Sequence, residues 1–115
     1  MSHSSKLKEI EEAKNKGYKI YLYFICTENP EINISRVENR VDKGGHDVQT
    51  EKIRSRYPNT LKNLYPAIKL SDRVYLFDNS AKKQELIAEI FEGILQLKTD
   101  KLPNWFMDYV ITYYA

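Results

Sequence analysis

The sequence predicts an α/β domain containing part of a parallel sheet, with flanking helices, a β-hairpin and a C-terminal helix. Two segments carry this prediction, residues 18–26 (YKIYLYFIC) and 71–80 (SDRVYLFDNS), because each holds a nearly unbroken apolar run. Such runs are typical of parallel strands that helices cover on both faces. The stretch between them has helical spacing, and parallel strands require a long crossover of that kind.

Size and composition indicate one globular domain over residues 1–115. Charged residues make up 30% of the chain and apolar residues 42%, and the net charge of +2 is too small to indicate nucleic-acid binding by electrostatics alone. Cys26 is the single cysteine, which fits a reducing compartment. The N-terminus lacks the apolar core of a signal peptide and no run reaches membrane-spanning length, so we expect a cytoplasmic protein that does not bind membranes.

Three helices are predicted before the second strand. The first begins at the Ser4-Ser5 pair and ends at Gly17, and the second has Asn29 as its N-cap with proline in the first turn. The third carries apolar residues at helical spacing through Leu64, but a proline lies among them. Because an interior proline costs about 3 kcal/mol in an unbroken helix, we expect a break near Pro58 and a further interruption at residue 66.

The C-terminal third predicts a hairpin and one more helix. Residues 86–91 and 94–98 flank a Glu92-Gly93 pair, which favours a β-hairpin. The last helix is indicated by residues spaced as one apolar face, namely Trp105, Phe106, Tyr109, Val110 and Tyr113. An aromatic stripe of this kind is typical of core packing.

A basic segment over residues 36–57 is the main functional candidate. Arg36 and Arg40 are one helical turn apart, a Gly44-Gly45 pair follows, and Arg54 and Arg56 lie on the next helix. Two basic helices joined at glycines suit a lid that closes guanidinium groups over phosphates. The alternative is a solvated helical hairpin, since four carboxylates are interleaved with these cations: Glu38, Asp42, Asp47 and Glu51.

Polar residues also follow the second strand, where α/β sheets commonly bind ligands. Asp78, Asn79 and Ser80 form either part of such a site or a plain turn. Elsewhere the sequence contains no phosphate-binding loop of the G-x-x-x-x-G-K-[ST] type, no metal-ligand spacing and no nucleophile–base motif. The two apolar strands therefore need neighbours in the sheet that the chain does not supply, unless the hairpin contributes them, and we expect the isolated chain to be marginally stable or to self-associate.

The motifs KGYKIYLYFICTENPEINISRVENRV, KGGHDV, EKIRSRY, SDRVYLFDNS and LPNWF resemble the C-terminal half of zeta-toxin-like P-loop kinases, from about Ser4 to Val110. The R-V-x-x-R-V-x-x-G-G-H block is fairly specific to that family. The resemblance implies a partial P-loop-kinase-like fold in which the ATP-binding loop, the Mg²⁺-binding hydroxyl and the catalytic aspartate belong to an N-terminal half without a counterpart here.

The resemblance implies that the chain is part of a phosphotransferase from a toxin–antitoxin system. ATP with Mg²⁺ would be the phosphoryl donor, and UDP-N-acetylglucosamine or a related sugar nucleotide the acceptor. The partners would be the missing P-loop half or an antitoxin-like protein, and the chain alone would be inactive. The alternative is a non-enzymatic remnant that acts as a protein-interaction module. Carried over by position, the lid arginines are Arg40, Arg54 and Arg56, and the nucleotide-binding residues are His46, Asp78, Asn79 and Ser80.

Overall fold

A computed structural model of the chain describes residues 5–42, 50–81 and 83–114, with the backbone alone for residues 40–42 and 50. Helices and strands alternate irregularly along the chain: α1 (Ser5–Asn15), β1 (Tyr21–Cys26), α2 (Pro30–Asp42), α3 (Thr50–Leu70), β2 (Arg73–Asp78), β3 (Glu85–Phe91), β4 (Ile94–Leu97) and α4 (Asn104–Tyr109), with a final 3₁₀ turn at Ile111–Tyr113. None of the helices within these residues is long and apolar enough to cross a membrane.

The four strands form one open sheet in the order β1-β2-β3-β4. β1 and β2 run parallel, with Tyr21 opposite Arg73 and Cys26 opposite Asp78. β3 is antiparallel to β2, and β4 is antiparallel to β3. The predicted mixed α/β class is confirmed, and β1–β2 is the parallel pair of this sheet.

Hydrogen bonds join the two parallel strands at both ends. At the amino ends, the Ile20 backbone N–H donates to a carboxylate oxygen of Asp72 at 2.7 Å. At the carboxyl ends, the Asn79 N–H donates to the Cys26 carbonyl at 2.8 Å. The chain between the strands, which contains α2 and α3, therefore leaves and returns at the ends of one tightly paired ladder.

The core lies on one face of the sheet, where α3 and α4 pack. Its fully buried members include Leu61 and Leu64 of α3, Val74 and Leu76 of β2, and Phe106 of α4. These residues recur at helical spacing in α3 and at every second position in β2, as one-sided burial requires.

The prediction that β1 is buried on both faces is wrong. Its burial alternates, and Tyr21 and Tyr23 are each 62% exposed. No helix among the described residues covers the face to which they point. We call this surface the open face and define it by the outward side chains of the four strands: Tyr21, Tyr23, Ile25, Arg73, Tyr75, Phe77, Leu86, Glu89, Phe91, Ile94 and Gln96. The apolar run does not predict burial on both faces, because aromatic and β-branched residues suit a sheet surface whether or not a layer of helices covers it.

A β-bulge at Ile87 interrupts the alternation in β3. Leu76 lies opposite Ala88, whereas the next residue of β2, Phe77, lies opposite Leu86, so Ile87 has no partner on β2. Ile87 and Ala88 are consequently both buried, although they are consecutive. The extra residue lets β3 contribute two neighbouring side chains to the core.

The predicted C-terminal end of α1 and the predicted start of α2 are confirmed. Gly17 has a φ of +90°, and the Tyr18 N–H donates to the Ala13 carbonyl, which is the Schellman arrangement at the end of α1. At the start of α2, the Asn29 side chain accepts a hydrogen bond from the Ile32 N–H at 3.3 Å. The predicted Gly44-Gly45 hinge lies outside the described residues.

The expected break at Pro58 is wrong, because α3 continues through both Pro58 and Pro66. Each proline removes one helical hydrogen bond. Beyond Pro58 the helix nevertheless packs its buried side into the core, with Leu61, Leu64 and Ala67 fully or almost fully buried, and Tyr57 packs against the core just before the proline. This packing outweighs the local cost, as tertiary context commonly does.

The hairpin prediction is confirmed, and the prediction of the last helix holds in part. Glu92 and Gly93 have φ values of +50° and +80° at the turn between β3 and β4, as a tight type I′ turn requires. α4 is short and buries Trp105 and Phe106, whereas Tyr113 lies beyond it, exposed and stacked on Tyr65 with ring centroids 4.0 Å apart.

Replacing Pro58 by alanine is expected to stabilise the protein by about 1–3 kcal/mol, because it restores an interior helix hydrogen bond. The matched control is Pro30→Ala, since Pro30 occupies the first turn of α2, where proline is favourable. Urea denaturation monitored by circular dichroism measures both changes. Equal effects of the two substitutions, or destabilisation by Pro58→Ala, would contradict this account.

Candidate functional site

A cavity of about 300 Å³ lies at the carboxyl end of β1, between α2 and α3. Its apolar wall comes from β1 and α3: Phe24, Ile25, Ile53 and Leu61. Its polar lining comes from the end of β1, both helices and the end of β2: Cys26, Thr27, Asn33, Arg36, Arg56, Tyr57, Thr60 and Asn79. The position matches the carboxyl edge where α/β sheets commonly bind ligands.

Two arginines, Arg36 and Arg56, line this cavity, and no aspartate or glutamate among the described residues does so. Arg36 belongs to α2 and Arg56 to α3, so the two cations approach from opposite walls. Like charges in one cavity repel each other unless an anion lies between them. The cavity therefore has the electrostatic character of an anion-binding site.

Arg36 is held by backbone carbonyls instead of a carboxylate. Its Nη2 donates to the Asn79 carbonyl at 2.6 Å and lies 3.5 Å from the Ala81 carbonyl. These bonds fix the guanidinium between α2 and the end of β2. Because carbonyls are neutral, these bonds leave the positive charge of Arg36 without a carboxylate partner among the described residues.

Arg56 lines the cavity from an exposed position on α3, and no hydrogen bond or ion pair joins it to another described residue. The neighbouring Tyr57 fixes this turn of α3, because its hydroxyl donates to the Thr27 carbonyl at 2.6 Å. That bond ties α3 to the residue that follows β1. Tyr57 thus orients the helix surface that carries Arg56.

Thr27 is the buried polar residue at the centre of these contacts. Its hydroxyl donates to the Asn29 carbonyl at 3.0 Å and lies 3.3 Å from the Asn33 Oδ1. The preceding Cys26 has a thiol whose pKa burial raises to about 11. Burial, followed by the neighbouring cysteine, also raises the pKa of the Tyr57 hydroxyl. Both groups are therefore neutral near pH 7, and the arginines are the charged groups of the cavity.

Arg54 points away from this cavity. Its Nε lies 2.8 Å and its Nη2 3.1 Å from the two carboxylate oxygens of Glu31, and both side chains are exposed. The hydrogen bond from Arg54 holds the pKa of Glu31 below its ordinary value. Arg54 follows the solvated-hairpin alternative, with a carboxylate partner on α2 that sequence reasoning did not identify.

The polar residues after β2 divide between the cavity and a turn. Asn79 lines the cavity. Asp78 accepts hydrogen bonds on both oxygens, from the Ser80 N–H at 2.9 Å and from the Trp105 Nε1 at 2.8 Å. The Ser80 hydroxyl accepts a hydrogen bond from the Glu28 N–H at 2.8 Å. Asp78 and Ser80 thus stabilise the turn, as the plain-turn alternative requires.

Two predicted site residues lie outside the described part: the side chain of Arg40, and His46 altogether. In contrast, sequence reasoning did not assign Asn33, Tyr57 or Thr60 to a site. The position of Tyr57 next to Arg56 is the one feature of the sequence that could have indicated that Tyr57 belongs to the site. Within the described residues, no group of three or more histidine, cysteine, aspartate or glutamate side chains could hold a metal ion.

A comparison with known proteins found one relative of limited extent. A stretch of 57 residues, 50% of the chain, is 32% identical to an uncharacterized protein of Haemophilus influenzae and covers 41% of that protein. No protein-family model matches the chain, and no solved structure does. The chain thus matches less than half of this relative's length, and the similarity carries no functional information.

Tyr57→Phe is expected to destabilise the protein by about 1–2 kcal/mol, because it removes the donor to the carbonyl of the buried Thr27. The control is Tyr18→Phe, since the Tyr18 ring is largely exposed. Urea denaturation gives both free energies of unfolding. A loss no larger for Tyr57→Phe than for Tyr18→Phe would show that the bond contributes nothing.

The Cys26 thiol is expected to react slowly in the folded protein. A pKa of about 11, raised from 9.0 by burial, makes the thiolate about 100-fold scarcer at pH 8 than in the unfolded chain. The contribution of the neutral thiol to the free energy of unfolding is present in full below pH 9 and is lost as the pH rises towards 11. Iodoacetamide labelling at pH 8, with and without urea, measures the difference, and equal rates would contradict the burial of the thiol.

Proposed function

We propose that this chain is the lid-bearing C-terminal part of an ATP-dependent small-molecule kinase of the zeta-toxin type. The observation that carries the proposal is the cavity shared by Arg36 and Arg56 without a carboxylate among its described lining residues. A transferring phosphoryl group is an anion of suitable charge to lie between two guanidinium groups. The proposed acceptor, from the family resemblance, is a sugar nucleotide such as UDP-N-acetylglucosamine.

The position of the cavity in the fold supports this proposal. It lies where β1 ends and where the crossover through α2 and α3 begins, so both helices can present side chains to a ligand at the strand end. A parallel strand pair with a helical crossover is the unit from which P-loop kinase sheets are built. β1 is an edge strand here, and in the proposed complete enzyme its free edge pairs with a strand of the other half.

In this proposal the arginines act by charge stabilisation and positioning. Phosphoryl transfer places negative charge on the oxygens of the group in flight, and fixed donors around it lower the barrier. Arg36 is held in place by the Asn79 carbonyl, whereas Arg56 is unpaired among the described residues and can turn towards the ligand. Arg56 therefore takes the catalytic role with Arg36 as its partner, Arg40 remains a proposed lid arginine, and His46 remains a proposed nucleotide-binding residue.

ATP and Mg²⁺ are proposed to bind mainly to a separately supplied half. The described residues contain no carboxylate cluster for the metal and the sequence contains no phosphate-binding loop. Mg²⁺ would neutralise charge on the β- and γ-phosphates when it is bound there. The proposal therefore expects no ATP turnover by the 115-residue chain alone.

A second candidate function is a non-enzymatic protein-interaction module. The observation that favours it is the open face, where apolar side chains of three strands lie in solvent. An antitoxin-like protein is one partner that such a module could bind. The two candidates differ in what the cavity does, because an interaction module has no need of an anion between Arg36 and Arg56.

The test is pyrophosphate binding, followed by amide chemical shifts in two-dimensional NMR. Millimolar pyrophosphate is expected to shift the resonances of Thr27, Arg36 and Arg56, and Arg56→Ala should weaken binding roughly tenfold through loss of a charge-assisted contact. The matched control is Arg54→Ala, which removes an equal charge two residues away but outside the cavity. Shifts absent from the cavity, or equal losses from the two substitutions, would overturn the proposal.

A further inference from the structure

We infer that the open face is a dimer interface, on which a second copy of this chain packs face to face. The inference depends on the sheet surface and not on the kinase proposal. Ile25 is the one residue that the open face shares with the described lining of the cavity. Each of the two ideas can therefore fail without the other.

The open face exposes as much apolar surface as the largest patches found on typical monomers. Tyr21 and Tyr23 are 62% exposed, Ile94 65%, Ile25 52% and Phe91 49%. With side-chain areas of about 150–250 Å², these five side chains present roughly 600 Å² to solvent. The largest apolar patch on a typical monomer is about 300–600 Å², so this face lies at the upper limit of that range.

The area also fits what a dimer needs. The half-buried Arg73, Tyr75 and Phe77 of β2 lie between the exposed side chains and extend the patch. Together these groups approach the roughly 800 Å² that each partner buries in a standard protein interface. Two sheets packed face to face lie about 10 Å apart and interdigitate side chains of this size.

Part of the surface is already rigid, which lowers the entropy lost on association. The Tyr23 and Tyr75 rings stack with centroids 4.8 Å apart and an angle of 13° between their planes. The Arg73 guanidinium lies 4.4 Å from the centroid of the Phe91 ring and donates to the Tyr75 hydroxyl at 3.2 Å. Aromatic and arginine side chains held in this way are the usual anchors of protein interfaces.

The charges of the open face make it complementary to itself. Of the residues that define the open face, Arg73 is the cation and Glu89 the carboxylate, on the adjacent central strands β2 and β3, and Lys98 lies beside Glu89 just after β4. In a two-fold contact, Arg73 of each copy can pair with Glu89 of the other, so both charges are matched twice. Glu89 contacts Lys98 through one oxygen at 3.2 Å, and the other oxygen stays available.

The same balance of charge argues against a nucleic-acid strand as the occupant. A phosphate backbone requires a surplus of cations along its path. The open face lacks such a surplus, because of its two cations, Arg73 and Lys98, the second is already paired with Glu89. A second copy of the chain can cover the aromatic side chains and also supply the opposite charges for Arg73 and Glu89.

Sedimentation velocity of the 115-residue chain over a range of concentrations tests the inference. We expect a reversible monomer–dimer equilibrium that Tyr23→Lys shifts towards monomer at least roughly tenfold, since the substitution places two like charges in an apolar interface. Ile94→Lys tests the same face from β4 should Tyr23→Lys fail to fold. Met107→Lys is the matched control, because Met107 is a partly exposed apolar residue of α4, on the helix-covered side.

Charge exchange identifies the partner as a second copy. Arg73→Glu and Glu89→Arg should each weaken the dimer, and the double substitution should restore it, because the reciprocal pair reforms with reversed signs. A chain that is monomeric at every concentration would overturn the inference, and so would a dimer that Tyr23→Lys and Ile94→Lys leave intact. Failure of the double substitution to restore the dimer would exclude the reciprocal pairing of Arg73 with Glu89.

Discussion

The parallel pairing of β1 with β2 is the constraint on which the rest of this structure depends. Two parallel strands cannot be joined by a tight turn, so the chain must travel back along the sheet before β2 begins. α2 and α3 lie in that return path, and both strands end at the same edge. The cavity, its two arginines and the turn after β2 are together at that edge because the strands are parallel.

Features set by a few neighbouring residues could be predicted from the sequence. The Asn29 cap and the Glu92-Gly93 turn depend on local backbone chemistry, which sequence shows directly. The continuity of α3 through Pro58 and the exposure of Tyr23 depend on which layers pack against each element. No local pattern encodes that, because a helix or strand of the same composition can lie under another layer or face water.

In the candidate site, too, the position of a single residue depends on packing that the local sequence does not show. Arg54 and Arg56 are two positions apart, which on an α-helix places them about 200° apart around the axis. One faces Glu31 and the other faces the cavity, although their sequence environments are alike. Their assignment depends on the rotation of α3, which is set by the packing of Tyr57, Leu61 and Leu64 on the sheet.

The hydrogen bond between Trp105 and Asp78 places an intrinsic fluorescent probe next to the candidate site. Trp105 is the single tryptophan of the sequence, it is buried, and its ring meets Phe24 edge to face at 5.7 Å. Its indole N–H donates to a carboxylate beside Asn79, whose carbonyl anchors Arg36. We therefore expect the emission wavelength of this one chromophore to respond to changes at the carboxyl edge of the sheet, which would allow occupancy of the cavity to be followed in unlabelled protein.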